Sequence, residues 1–244
     1  MKLLELDLTP TRKLIQAKPG RYPELSMAFS AAAEKRAAKS KDPNLTRLGE
    51  PGAYATAYKR SSTPGVVTKV GRFDDTPAKD GYLSYLQSIL HNDRVSSNPF
   101  LPRIYSIKVY KYPSTEDREW RGGQYVVQME KLRPIDELSI EQLEALGEHL
   151  FKDWEKLAPK GNAMTPAYYA QRLLYTISMA TSTRNPRYTR ALKDKKLLQA
   201  VAMISNLGRS KKDHTEIEFD LHAGNFMYRV TPVGPQLVIT DPLA

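Results

Sequence analysis

Apolar positions along this chain change period twice. Between Leu45 and Leu132 they fall in short runs rich in β-branched and aromatic residues: "AYATAYKR" at 53–60, "GVVTKVGRF" at 65–73, "RIYSIKVYKY" at 103–112 and "GGQYVVQMEKL" at 122–132. Such runs, broken by the turn "SSTPG" and the polar stretch "PSTEDREWRGG", predict strands. One helical pattern interrupts them, "PAKDGYLSYLQSILHND", with Leu83, Leu86, Ile89 and Leu90 on one face. After Pro134 the period lengthens. "SIEQLEALGEHLFKDWEKLA" predicts an amphipathic helix over 139–158, and Ser139 with Gln142 forms a capping box. "TPAYYAQRLLYTISMATS" and "DKKLLQAVAMISNLG" predict two more helices. The last stretch returns to strands, "FMYRV" and "QLVIT", around the turn "TPVGP".

These patterns predict an α+β chain. Residues 1–44 form an N-terminal extension with a helical, basic stretch closed by Pro43. Residues 45–131 form a small β-rich lobe, and residues 132–244 a mainly helical lobe with a late β-hairpin.

Composition narrows the class. With 244 residues and 41% hydrophobic content the chain can bury a substantial core. It has no cysteine, so disulfides and thiolate metal sites are excluded. "MKLLELDLTP" interrupts its apolar run with Glu5 and Asp7, unlike a secretory leader. The longest uncharged stretch, 197–208, is too short to span a bilayer as a helix. The expectation is a cytoplasmic protein without a membrane partner. The net charge is +10, and residues 181–212 hold nine Lys or Arg against Asp194 alone. Such a patch attracts nucleic acid, nucleotide phosphates or an acidic partner. It equally suits a solvated helix face, the more so because aromatics are not interleaved through the run.

Chemistry enters with four segments in a fixed order. "LGEPGAYATAY" places Gly49 and Gly52 in a tight turn beside the small Ala53 and Ala55, where backbone can approach a phosphate. "GVVTK" ends on Lys69, which strand alternation puts on the same face as Val67, so a lysine pointing with the core residues needs an anion. "FDLHAGN" offers Asp220 as a carboxylate to orient a hydroxyl and Asn225 as an oxygen ligand for Mg²⁺. "QLVITDP" carries Asp241 at the end of a strand, and a hairpin from 226 to 240 would bring Asn225 and Asp241 to one mouth. The same Asp-to-Asn spacing recurs at Asp93 and Asn98, but no strand-borne acid follows there, so that pair reads as coincidence. Phosphoryl transfer needs this set of parts: a backbone cover, a cation, a carboxylate and metal ligands.

Over 45–244 these segments resemble the protein-kinase-like superfamily. "LGEPGAYATAY" is similar to its glycine-rich loop, "VVTK" to its V-A-I-K strand, "EFDLHAGN" to its H-R-D-L-x-x-x-N loop and "ITDP" to its D-F-G metal site. "DLHAGNFM" joined to "ITDP" looks closer to the aminoglycoside and atypical kinases, and most like the early serine/threonine protein kinases of podoviral bacteriophages. The resemblance implies a bilobal fold, ATP and Mg²⁺ as cofactors, and host proteins as substrates, transcription and RNA-processing machinery among them. It assigns Gly49, Gly52, Ala53, Tyr54, Lys69 and Glu130 to the nucleotide, Asp220 to catalysis, and Asn225 and Asp241 to the metal. Three departures stand out. Glu218 replaces the loop histidine, Pro242 replaces the phenylalanine, and the helix after Lys69 has no glutamate, leaving Asp80 or Gln87 in its stead. The chain stops three residues after Asp241, which implies a minimal kinase or one truncated at its C-terminus. Two other functions fit the same residues: a small-molecule phosphotransferase of aminoglycoside-kinase type, and a kinase-fold module that binds polymerase or nucleic acid.

Overall fold

A computed structural model describes residues 45–48, 55–73, 80–111, 122–157, 165–183, 185–209 and 219–243. The N-terminal extension and the glycine turn, with Gly49, Gly52, Ala53 and Tyr54, lie outside the described residues, as does Glu218. The chain packs as two units. The first holds the described residues up to Asp80 and Arg103–Lys131, and the second holds Gly81–Pro102 with the described residues from Leu132 onward.

The first unit is a five-stranded antiparallel sheet in the order β1-β2-β3-β5-β4. Its strands are β1 (Leu45–Leu48), β2 (Ala55–Arg60), β3 (Val66–Phe73), β4 (Ile104–Lys111) and β5 (Gly123–Glu130). β-Branched and aromatic residues favour this pleated arrangement. Alternation on β5 buries Tyr125, Val127 and Met129 on one face. β4 supplies Ile104, Ile107 and Val109, with the register shift between Ile104 and Ser106 bringing the first of these into phase.

The second unit opens with helix α1 (Gly81–Leu90) and the short α2 (Asp93–Ser96). The sequence analysis drew 45–131 as one lobe, but α1 packs with the second unit. Tyr82, Leu83, Tyr85, Leu86 and Ile89 make almost the whole of its surface apolar and buried, so it serves as a core helix. The Tyr85 hydroxyl donates to the carbonyl of Ile239, far along the chain.

Helix α3 (Ile140–Leu150) begins at the expected capping box: Gln142 N–H donates to Ser139 Oγ at 3.3 Å, and Ser139 N–H to Gln142 Oε1 at 3.1 Å. It does not run on to 158. The helix stops at Phe151 and resumes as α4 (Trp154–Leu157). The interruption is tertiary in origin, for Phe151 bridges to Leu192, Lys152 N–H donates to the Ala191 carbonyl, and Lys193 N–H donates to the Leu150 carbonyl. The turn sends Trp154 back against Gly147, where a Cβ would meet the indole at 2.1 Å, so only glycine allows that approach.

Helices α5 (Pro166–Thr183), α6 (Pro186–Ala191) and α7 (Lys195–Leu207) follow. Patterning predicts α5 and α7. It misses α6, which buries no residue, although Asn185 as N-cap with Pro186 behind it is a recognisable start signal. Asp194 caps α7 by accepting from Lys196 N–H and Leu197 N–H.

The chain then forms the expected hairpin, β7 (Phe226–Thr231) and β8 (Gly234–Ile239). Gly234, at φ +119°, supplies the turn conformation that other residues resist. Arg133–Pro134 adds a short third strand, β6, which patterning gives only as part of a connector. The α+β class therefore holds, with a β-rich first unit and a mainly helical second unit bearing a late hairpin.

Candidate functional site

The hairpin pairs Phe226 with Ile239, and the ladder continues past its ends. Thr240 N–H donates to the Asn225 carbonyl at 2.9 Å, and the Thr240 hydroxyl donates to the same oxygen at 3.0 Å. Farther out, Asp220 N–H donates to the Pro242 carbonyl at 2.9 Å, and Phe219 bridges to Leu243. Two segments are thus laced side by side, 219–225 and 240–243. Asp220, Asn225 and Asp241 all lie in this lacing, at the open end of one hairpin, where the sequence analysis expects the latter two to meet.

The loop between Asp220 and Asn225 holds its own shape. Ala223–Asn225 is a turn of 3-10 helix, entered through His222, whose Nδ1 accepts from Gly224 N–H at 3.0 Å. An accepting Nδ1 puts the proton of the neutral imidazole on Nε2. That nitrogen faces Asp220 Oδ1 at 3.6 Å, too long for a hydrogen bond. His222 is therefore an organiser of the loop, and Asp220 beside it is half-open to solvent.

Asn225 is 7% exposed. Its side-chain N–H donates to the Asp220 carbonyl at 2.6 Å, which fixes the amide's orientation because a carbonyl accepts only from the nitrogen end. Its Oδ1 takes no hydrogen bond from the described residues. An amide oxygen in that state, reaching solvent from a residue otherwise buried, suits a hard cation. Asp241, half-buried, stands two residues past the end of β8, between Thr240 and Pro242, which the backbone laces to Asn225 and Asp220. Amide and carboxylate oxygens are the donor type that Mg²⁺ takes; among the described residues no group of three or more His, Cys, Asp or Glu gathers.

Tyr85 stands behind this mouth. It is 0% exposed, and its hydroxyl bonds the carbonyl two residues before Asp241. Burial, and after it the charge of Asp241, hold its phenol well above the ordinary value. Nothing in the sequence marks Tyr85, because a tyrosine on a helical stripe looks like any other core residue. The α5 helix supports the loop from the other direction, with Ser178 Oγ donating to the Leu221 carbonyl at 3.1 Å.

In the first unit, Lys69 sits on β3 between Ala57 of β2 and Val127 of β5. It shares its face with Val67, Gly71 and Phe73, all buried, and is itself half-buried, as alternation from Val67 requires. Glu130 ends β5 in a buried position, where its carboxylate accepts from Arg103 N–H at 2.8 Å. That bond closes the β4–β5 pair beyond its irregularity, a structural duty that spacing does not reveal. Asp80 lies half-buried just before α1 and Gln87 half-buried within it.

Asn98, of the second pair with this spacing, is structural. Asn98 is buried, donates to the Lys196 carbonyl at 2.8 Å and accepts from Phe100 N–H at 2.9 Å. Its amide is used at both ends.

No protein-family model matches the chain. No curated protein matches its sequence. Among solved structures the chain is similar to the MAP kinase LmaMPK10 from Leishmania major, at 12% identity and a TM-score of 0.31, covering 87% of this chain and 49% of that one. The chain thus spans about half the length of that kinase.

Proposed function

We propose that this chain is an ATP- and Mg²⁺-dependent phosphotransferase whose acceptor is a serine or threonine hydroxyl of a protein. The observation that carries the proposal is the lacing of 219–225 to 240–243, which gathers Asp220, Asn225 and Asp241 at one hairpin mouth. The placement of Lys69 on the third strand, on the face with the buried residues, supports it. So does the order of parts along the chain.

In this reading Lys69 holds the α- and β-phosphates, and the glycine turn with Gly49, Gly52, Ala53 and Tyr54 covers them. Glu130 lies at the nucleotide. Asp220 orients the acceptor hydroxyl and takes its proton as the oxygen bonds to the γ-phosphorus. The β–γ bridging oxygen leaves with ADP. Asn225 Oδ1 and the Asp241 carboxylate would hold Mg²⁺, which supplies neutralising charge on the phosphates.

The finer identity is part of the same proposal. The run "DLHAGN" with "ITDP" favours an early protein kinase of a podoviral bacteriophage, acting in the host cytoplasm on transcription and RNA-processing proteins. No described helix is long and apolar enough to cross a membrane.

The test is Mg²⁺-dependent ATP binding followed by labelled-phosphate transfer to host lysate. Wild type binds ATP with Mg²⁺, and Asp241→Ala loses that dependence. Asp220→Ala binds but transfers about 10²–10⁴ times more slowly. Equal labelling by wild type and Asp220→Ala overturns the assignment. Turnover with small cationic acceptors, and none with proteins, replaces the protein acceptor by a small molecule.

A further inference from the structure

The basic run after residue 181 carries one aromatic, Tyr188, and the fold sets Tyr175 against it. Helix α5 presents Tyr168, Arg172 and Tyr175 at helical spacing on one face, with the two tyrosines 47% and 48% exposed. Helix α6, which buries none of its residues, turns Tyr188 onto Tyr175. Their rings meet edge-on, centroids 6.1 Å apart at 85°. Around them stand the exposed Arg172, Arg187 and Arg190. No carboxylate among the described residues pairs with these three arginines. The Tyr188 hydroxyl, as a hydrogen-bonding neighbour, raises the Tyr175 phenol above its ordinary value, and the charges of Arg172 and Arg187 pull it the other way, so both guanidinium groups bear on this ring. Lys193, Lys195 and Lys196 continue the charge, while Asp194 spends its carboxylate on the α7 cap.

We propose that the Tyr168–Arg172–Tyr175–Tyr188 surface binds single-stranded nucleic acid, stacking bases on the tyrosines while the arginines hold phosphates. A basic face alone suits any polyanion. Accessible aromatic rings among guanidinium groups that no described carboxylate pairs suit unstacked bases joined by phosphates, because each base offers a π-face at each charged step. An acidic protein segment would use the charges and leave the rings idle. The surface lies wholly within the second unit and stands independently of the phosphotransfer reading.

The test uses the full chain and labelled oligouridylate and oligothymidylate of about 12 nucleotides, read by fluorescence anisotropy. Both strands are expected to bind, with affinity falling steeply between about 50 and 200 mM salt. Tyr175→Ala and Tyr188→Ala each weaken binding about tenfold, whereas Tyr175→Phe keeps it. Arg187→Gln lowers the salt slope by about 0.7. Tighter binding of the RNA strand than of the DNA strand identifies RNA as the ligand, and the reverse identifies DNA. Circular dichroism checks the fold of each variant, and ATP binding is expected to be unchanged in all of them. The proposal is overturned by no binding at low salt, or by a duplex that binds as tightly as the single strand. It is also overturned if Tyr175→Ala binds like wild type, or if polyglutamate binds with the same tyrosine dependence, which would make the partner an acidic protein.

Discussion

Asn225 donates its side-chain N–H to the carbonyl of Asp220 at 2.6 Å, so the residue proposed to hold the metal also fixes the backbone that carries the proposed base. Position of base and position of metal ligand are one mechanical fact here. Thr240 completes the arrangement by donating twice to the Asn225 carbonyl, one residue before Asp241.

Asn225→Asp tests that coupling. It keeps an oxygen for a cation and replaces the donor with a second acceptor facing the Asp220 carbonyl. The unpaired buried groups are expected to cost about 1–3 kcal/mol in urea denaturation. Mg²⁺-dependent ATP binding falls as well, although a carboxylate is the stronger ligand. Stability equal to wild type would show that the bond does not hold the loop.

His222 separates organising from catalysis. His222→Asn retains a side-chain acceptor for Gly224 N–H, and His222→Ala removes it, at an expected cost of about 1 kcal/mol. Phosphate transfer falls less than about tenfold in either variant, against the 10²–10⁴ expected for Asp220→Ala. A loss in His222→Ala matching that of Asp220→Ala would move the proton-accepting role to the imidazole.

Tyr85 gives stability a pH signature. Its phenol is neutral in the fold and its pKa is raised by burial and by Asp241. A group raised on folding stabilises fully below its unfolded pKa, about 10, and loses that contribution as pH climbs through the folded value. Unfolding free energy is therefore flat across neutrality and declines in strongly alkaline solution. Tyr85→Phe lowers stability at pH 7 by about 1–2 kcal/mol through the unpaired Ile239 carbonyl, and its alkaline decline is shallower. Parallel pH profiles for the two proteins would remove Tyr85 as the cause.

Asn98 provides the control for spacing. Asn98→Ala leaves the Lys196 carbonyl and Phe100 N–H without their partner and costs about 1–3 kcal/mol. ATP binding per folded molecule stays at the wild-type level. A selective loss of Mg²⁺ dependence would give the Asp93–Asn98 segment a role that its hydrogen bonds do not suggest.

Most of the local elements are written in their own residues. Alternation marks β3 and β5, helical spacing marks α1, α5 and α7, and the capping box at Ser139 and Gln142 marks the start of α3. The turn between β7 and β8 was legible too, and with it the bonding of the 240 backbone to Asn225, since a hairpin closes locally. Tertiary structure alone decided the rest. It cut the helix at Phe151, where nothing local stops it, by giving the backbone of 150–152 to the segment before α7. It packed α1 into the second unit and set Tyr85 behind Asp241. It told Asn98 from Asn225 by satisfying one amide at both ends and leaving the other's oxygen unused by the described residues. It also joined Tyr175 to Tyr188 across two helices. Periodicity records which way a side chain points within its own element. The identity of what it meets there depends on residues distant in the chain, which no local pattern contains.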